Sequence, residues 1–399
     1  MTRSRARETQ RTTAQIVRGY RGPALFSFGF RPFFLLAGGF AALAIPLWIS
    51  AMLGLVDMTG ATTRDWHVHE MLFGYTSAVI AGYMIIAGAN WTGHYPVAGA
   101  PVMVLAGLWL AGRLAMLWPE TAAAMAIDAA FLPLFAAALW REQIAARNGR
   151  NLVPCIVVAL LAVANIAFHL RAFQPAWGPA SERLALGLII LLIMVMGGRL
   201  VPSFTRNWLA QQGIPREPVP YGRLDKGLVI LAAGALLLWQ MAPYAPVTGA
   251  LLIAGGVALW LRLARWRGWE TRREPLVWSL HLGYAWLALG LVVLGGAICF
   301  PAHIPRTAAV HALTAGGIGV MTLVMMMRTT LSHTGRERRG GGSTLAACMA
   351  INAAAALRVA APFGGSAMSS LLAVSALLWA CAFLQFVAVY GPMLMTRRA

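Results

Sequence analysis

Residues 66–94 read WHVHEMLFGYTSAVIAGYMIIAGANWTGH. From Met71 to Gly93 no side chain carries a formal charge. A helix needs about 20 such residues to cross a hydrocarbon core about 30 Å thick, so this run is long enough to span a membrane. Its opening is different in kind, because two histidines and a glutamate stand at the mouth of the apolar stretch.

The same pattern recurs on both sides of it. Hydrophobic residues make up 59% of the 399 positions and charged residues 11%. An ordinary soluble domain has about 45–50% and about 25%, and a water-soluble fold could not bury so much apolar surface. Twelve spans are expected, at 33–55, 67–91, 99–118, 121–141, 152–172, 184–206, 226–243, 246–264, 276–299, 306–330, 344–363 and 370–393. The expected class is therefore an all-α, polytopic integral membrane protein. Residues 1–32 form a basic arm, 33–394 a single transmembrane domain and 395–399 a short tail. The first apolar segment is about 23 residues long and has no small-residue cleavage site, so it reads as a spanning helix and not as a removed signal peptide.

The formal net charge is +19, which invites a nucleic-acid reading. Its distribution argues against one. Arg3, Arg5, Arg7, Arg11, Arg18, Arg21 and Arg31 lie in the arm. Arg141, Arg147, Arg150, Arg262, Arg265, Arg267, Arg272, Arg273, Arg336, Arg338, Arg339, Arg397 and Arg398 fall on the same side of the membrane as the arm, and the opposite loops hold only Arg64, Arg171, Arg183 and Arg306. This is the positive-inside bias, which places both termini in the cytoplasm. The charge reports topology and contact with the lipid bilayer's anionic headgroups, not nucleic acid.

Cys155, Cys299, Cys348 and Cys381 show no CxxC or CxxCH spacing, which leaves no disulfide framework, zinc site or covalent c-type haem attachment. The segments beginning at His69 and His311 align without gaps, sharing that histidine, one Gly, one Met and a terminal Thr-Gly pair. Helix six ends in a related polar tail, Phe204 to Trp208. A spacing of four helices suits three four-helix units, and chance likeness among Gly- and Met-rich segments explains the match equally well.

An ionisable side chain at the centre of a spanning helix costs about 2.5–3.5 kcal/mol on insertion scales, so each one needs a reason. His67, His69 and His311 fall at the outer end by topology. His333 follows His311 by 22 residues, roughly 33 Å, at the opposite face. His281 lies eight residues beyond Arg273, about 12 Å in. Two sites are thus expected. Neutral imidazole ligates haem iron and copper, and His69 with His311 could sandwich a haem. His67 points about 200° away from His69 on a helix, so the two cannot serve one metal unless the helix starts between them. His67 shares a face with Glu70 and Met71, and Glu70 is expected to orient an imidazole of the site. For each histidine taken singly, a helix–helix hydrogen bond is the ordinary alternative, and His94 and His303 are left with that reading. Met325, Met326 and Met327 face different directions and read as packing residues. Arg113, Arg199, Arg328 and Arg358 could pair with haem propionates or another anion, and Asp128 in helix four is expected to pair with one of them. Trp66, Trp91, Trp118, Trp140, Trp177 and Trp208 read as interfacial anchors.

These residues fall within GFRPFFLLAG at 29–38, WHVHEMLFGY at 66–75, AGANWTGH at 87–94, GGRLVPSFTRNW at 197–208, LHLGYAWLALG at 280–290 and the segment from His311 to Arg336. In these motifs the sequence resembles the NnrS family, bacterial inner-membrane proteins of the nitric oxide response that contain haem and copper. Ala89 stands where the family usually has Pro. The resemblance implies non-covalent, b-type haem, copper, and protection against nitric oxide and nitrosative stress in denitrification. It singles out His67, His69, His281, His311 and His333 as metal residues and Arg199 and Arg328 as cofactor-binding. Glu70, Asn90, Trp91 and Tyr284 are expected around them. A redox enzyme built like the heme-copper oxidases and a metal-free secondary transporter are the competing readings. The scarcity of intramembrane carboxylates, essentially Asp128 and Glu70, counts against transport.

Overall fold

The computed structural model describes residues 19–56, 63–92, 97–146 and 152–397, apart from the side chains of Asn90 and Thr92. Among these described residues, twelve main helices follow the expected spans. They are α1 (Phe30–Met52), α2 (Arg64–His69, continued through Glu70–Tyr75 and Thr76–Thr92), α3 (Ala100–Ala115), α4 (Ala122–Ala145), α5 (Leu152–His169) and α6 (Trp177–Gln211), then α7 (Arg223–Met241), α8 (Pro246–Ala264), α9 (Pro275–Cys299), α10 (Arg306–His311, Ala312–Gly319 and Val320–His333), α11 (Gly342–Ala360) and α12 (Met368–Met395). Eleven are long and apolar enough to cross a membrane. The exception is α3, whose 16 residues extend about 24 Å, short of the span expected at 99–118.

Burial separates the helices into two groups. The most apolar window of α2 is 89% buried, that of α10 72% and that of α6 67%, and no other spanning helix exceeds 56%. The three inner helices stand four apart in chain order, as three four-helix units would place them. The π segments of α2 and α10 both pack against α6, and the Tyr75 hydroxyl donates to Thr322 Oγ1 at 2.7 Å, joining α2 to α10. Thr322 can accept because its own proton goes to the Ile318 carbonyl at 2.6 Å. Chain neighbours pack around this centre, and α12 closes the ring on α1, with Trp379 Nε1 donating to the Ala41 carbonyl at 2.9 Å.

The likeness between helices two and ten has a structural counterpart. Each changes from α to π register immediately after its aligned histidine, at Glu70–Tyr75 and at Ala312–Gly319. A π turn displaces the i→i−4 ladder, and such turns concentrate at functional sites. Side chains occupy the displaced carbonyls of α2, with Thr76 donating to Met71 O at 2.7 Å and Trp109 Nε1 to Gly74 O at 2.9 Å.

Both described chain ends lie at one end of the bundle. Arg31 is buried and donates to the Leu394 and Thr396 carbonyls at 3.0 and 2.7 Å, which satisfies the open end of α12. The helix thus starts three residues before the expected position 33, and Arg31 belongs to the packed bundle instead of the arm. Trp118 and Trp177 are exposed at helix ends as anchors should be. Trp66 and Trp208 are not anchors: both are buried, the first against α1 beside Ala44 and the second with Leu209 and Val277.

Candidate functional site

Two groups of polar side chains converge where α2 begins. Thr63 caps the helix by accepting from Trp66 N at 3.1 Å, which fixes the phase of the residues that follow. His67 turns toward α1 and α10. It stacks on Trp48 with ring centroids 4.2 Å apart and faces His311 with centroids 6.4 Å apart and planes within 4°. His311 Nδ1 lies 2.7 Å from the Thr307 carbonyl. A carbonyl only accepts, so Nδ1 carries the proton and Nε2 of the neutral ring keeps a lone pair, the arrangement found in metal-ligating histidines. His67 Nδ1 and Arg358 Nη1 are both buried without a hydrogen-bond partner, and the Arg358 charge acts on both imidazoles. Unsatisfied polar atoms beside two facing imidazoles are what a site for a metal and an anionic group would leave.

His69 turns the opposite way. It is fully buried, with Nδ1 at 2.9 Å from Glu70 Oε1 and Nε2 at 3.0 Å from Asp128 Oδ2 and from Asn165 Oδ1. Arg113 donates to Glu70 Oε1 at 2.6 Å and also to Asp128 Oδ1. Asp128 Oδ2 accepts further from Asn165 Nδ2 at 3.0 Å and His169 Nε2 at 2.8 Å. Gly74 makes this possible, since a Cβ there would collide with Arg113 Nη1. The ligand atoms of His69, Asp128 and His169 lie within 4.8 Å of one another. Both imidazole nitrogens, however, point at Asp128 Oδ2 itself and not at a space between the three groups. Both His69 nitrogens face carboxylate oxygens and so both donate, which makes the ring a cation and removes it as a ligand. With Arg113 it supplies two positive charges against the two carboxylates. The group is a buried ion-pair network joining α2, α3, α4 and α5, in which Glu70 Oε2 and Arg113 Nε are left without a hydrogen-bond partner.

His311 therefore faces His67 and not His69, and the imidazole that Glu70 meets is that of His69. The 200° between residues 67 and 69 was correct. Which of them faces α10 depends on the rotation of α2, and the Arg113–Asp128 pairing holds His69 toward α4. The expected Arg partner of Asp128 is Arg113. His169 and Asn165 stood outside the expected set, and their signal was an i, i+4 polar pair on an otherwise apolar helix.

At the other end the expected residues do not converge. His281 Nε2 is 2.8 Å from Thr205 Oγ1, whose proton goes to the Val201 carbonyl at 2.9 Å. Nε2 is thus the donor, and the lone pair on Nδ1 faces Gly268, where an added Cβ would lie 2.5 Å away. That nitrogen is covered and does not suit a metal. His333 lies among the rings of Phe28 and Phe30 at 5.6 and 5.7 Å. Arg328 sits over the Phe204 ring at 3.9 Å, and Arg199 lines a separate cavity. The Tyr284 hydroxyl accepts from Arg262 at 2.9 Å. Trp91 is half-buried against the core, while the Asn90 side chain and His94 lie outside what is described.

A ring of membrane-length helices around three buried ones, with imidazoles facing each other at one end, defines a polytopic helical membrane protein with a candidate metal site. The family model described as NnrS protein matches residues 24–398, nearly the whole chain, and the chain belongs to the NnrS family. No curated protein matches it.

Proposed function

We propose that this is a haem-binding protein of the bacterial response to nitric oxide, seated in the inner membrane with both termini in the cytoplasm, and that His67 and His311 hold the metal. The observation that carries the reading is the pair itself: two near-parallel imidazoles from the inner helices, one with its tautomer fixed for ligation. Arg358, with its unpaired Nη1, would face a haem carboxylate through its donor fork. Haem iron, when bound, would supply the centre that takes nitric oxide, in exchange for one of the two imidazoles. Copper is the alternative occupant, since imidazole suits both metals. Deeper in the bundle, α1, α2, α6 and α10 line a half-open apolar hollow of about 80 Å³, with Val79, Ile80, Tyr83, Met196 and Met321 among its walls. An engineered cavity of about 150 Å³ takes benzene, so this one suits a diatomic that partitions into lipid. The three inner helices four apart also favour the redox-enzyme reading over transport, as an analogy of architecture.

The purified protein is expected to show a Soret band that shifts with nitric oxide. His67→Ala and His311→Ala should each abolish the band while His281→Ala retains it, all three eluting as folded protein. Copper found by metal analysis without a Soret band would move the pair to copper. A Soret band that survives in both outer variants would refute the assignment.

A further inference from the structure

At the end of the bundle opposite the histidine pair, α6, α7, α8 and the connection between α6 and α7 enclose a cavity of about 540 Å³. This lies within the range of about 300–1,000 Å³ typical of ligand sites. Arg199, Ser203 and Arg206 line one wall. They stand at i, i+4 and i+7 on α6, so they share a face and the two guanidinium stems are about 10 Å apart along the helix. Neither arginine has a hydrogen bond or an ion pair with any described residue, and both are exposed to the cavity.

Two other charged groups of the lining, Arg262 and Asp225, are already engaged with each other. Arg262, at the back, is buried and donates to the Met194 and Gly198 carbonyls at 3.3 and 3.1 Å, with its Nε 3.5 Å from Asp225 Oδ1. Asp225 also accepts from Arg265 at 3.3 Å and caps α7 at Gly222 N. Glu217 is the remaining carboxylate in the lining. The cavity therefore presents two unpaired arginines and a hydroxyl against one acid, with Trp266 and Tyr221 as apolar walls.

We infer that this cavity binds a phosphate oxyanion, supplied by the phosphodiester headgroup of an anionic phospholipid at the end of the bundle where the arginines concentrate. Guanidinium groups pair with phosphate oxygens through two parallel hydrogen bonds, and Ser203 adds a donor between them. Basic pockets between membrane helices on the cytoplasmic side bind such headgroups. The site is far from the histidine pair and does not depend on its occupancy.

The test is native mass spectrometry of the intact protein in detergent, titrated with phosphatidylglycerol, with phosphatidylcholine, and with phosphatidylglycerol in excess inorganic phosphate. Phosphatidylglycerol should bind in preference to phosphatidylcholine, and the double variant Arg199→Gln/Arg206→Gln should lose that binding at least tenfold. Glu217→Gln removes the opposing charge and should strengthen it several-fold, a gain that misfolding cannot produce. Displacement by inorganic phosphate would make the free anion the ligand of the same site, and retention would make it the lipid. Equal phosphatidylglycerol binding by wild type and double variant, or no gain in Glu217→Gln, would overturn the inference.

Discussion

Arg113→Met is expected to destabilise the protein by about 3–5 kcal/mol, the cost of removing one partner from a buried ion pair. The side chain touches no candidate metal residue at the His67–His311 pair, yet its guanidinium is what holds Glu70 and Asp128 together. Without it, two carboxylates remain in an apolar interior with His69 as their one cation. Arg113→Lys keeps the charge but not the two-armed geometry, and should fall between wild type and Met. Asp128→Asn should be nearly as costly as Arg113→Met, since Asp128 accepts from His69, Asn165 and His169 on one oxygen and from Arg113 on the other. The check is the temperature at which each detergent-solubilised variant loses its monodisperse elution. The double variant Arg113→Met/Asp128→Asn should lose much less than the sum of the two single losses, because removing both charges leaves less of the network uncompensated. Strict additivity would mean that the two residues are not coupled, contrary to the network described here.

How much of this was legible in the sequence follows from what each feature depends on. The spans depend on local hydropathy, and eleven of the twelve helices, the short α3 among them, begin and end within about four residues of the expected bounds. The exception is α6, expected at 184–206 and running from Trp177 to Gln211, because Ser181, Glu182 and Arg183 at one end and Asn207 and Gln211 at the other are residues that hydropathy leaves out of a span. The inner position of α2, α6 and α10 was foreshadowed only by the weak match of the His69 and His311 segments. That match gains weight from the π register that follows each histidine. The site depends on rotation. A helical wheel separates His67 from His69 but says nothing of which one meets α10, and the partners that hold His69 away from it, Asp128 with its Arg113 and Asn165, come from α4, α3 and α5. Arg31 is the same lesson at a terminus: it counted among the arm's charges, and it closes the carbonyl end of a helix more than 360 residues away.

Gly295→Val is expected to separate α8 from α9 and to leave little folded protein. In membranes there is scant hydrophobic drive between helices, so association rests on close backbone approach through small residues. The α8–α9 seam is built in this way. A Cβ on Gly295 would strike the Gly249 carbonyl oxygen and lie 2.9 Å from Ile253 N. One on Gly256 would lie 2.6 Å from the Ala288 carbonyl oxygen and 2.9 Å from Val292 N, and one on Gly249 2.9 Å from the Gly295 carbonyl oxygen. These obstacles are backbone atoms, so no rotamer change can relieve them and the helices themselves must move apart. The consequence reaches the centre of the bundle. The other flank of α9 packs on α10 through Gly283 against Met321 and Gly290 against Leu313, and α9 cannot shift without moving α10, which carries His311. Gly256→Ala should be milder than Gly295→Val but in the same direction, with a lower thermal midpoint in detergent. Gly234→Ala is the control, because nothing lies within 4 Å of its added Cβ. It should match wild type or gain slightly, since glycine inside a helix costs about 1 kcal/mol relative to alanine. If Gly295→Val keeps the wild-type midpoint, the close α8–α9 seam does not hold the bundle together.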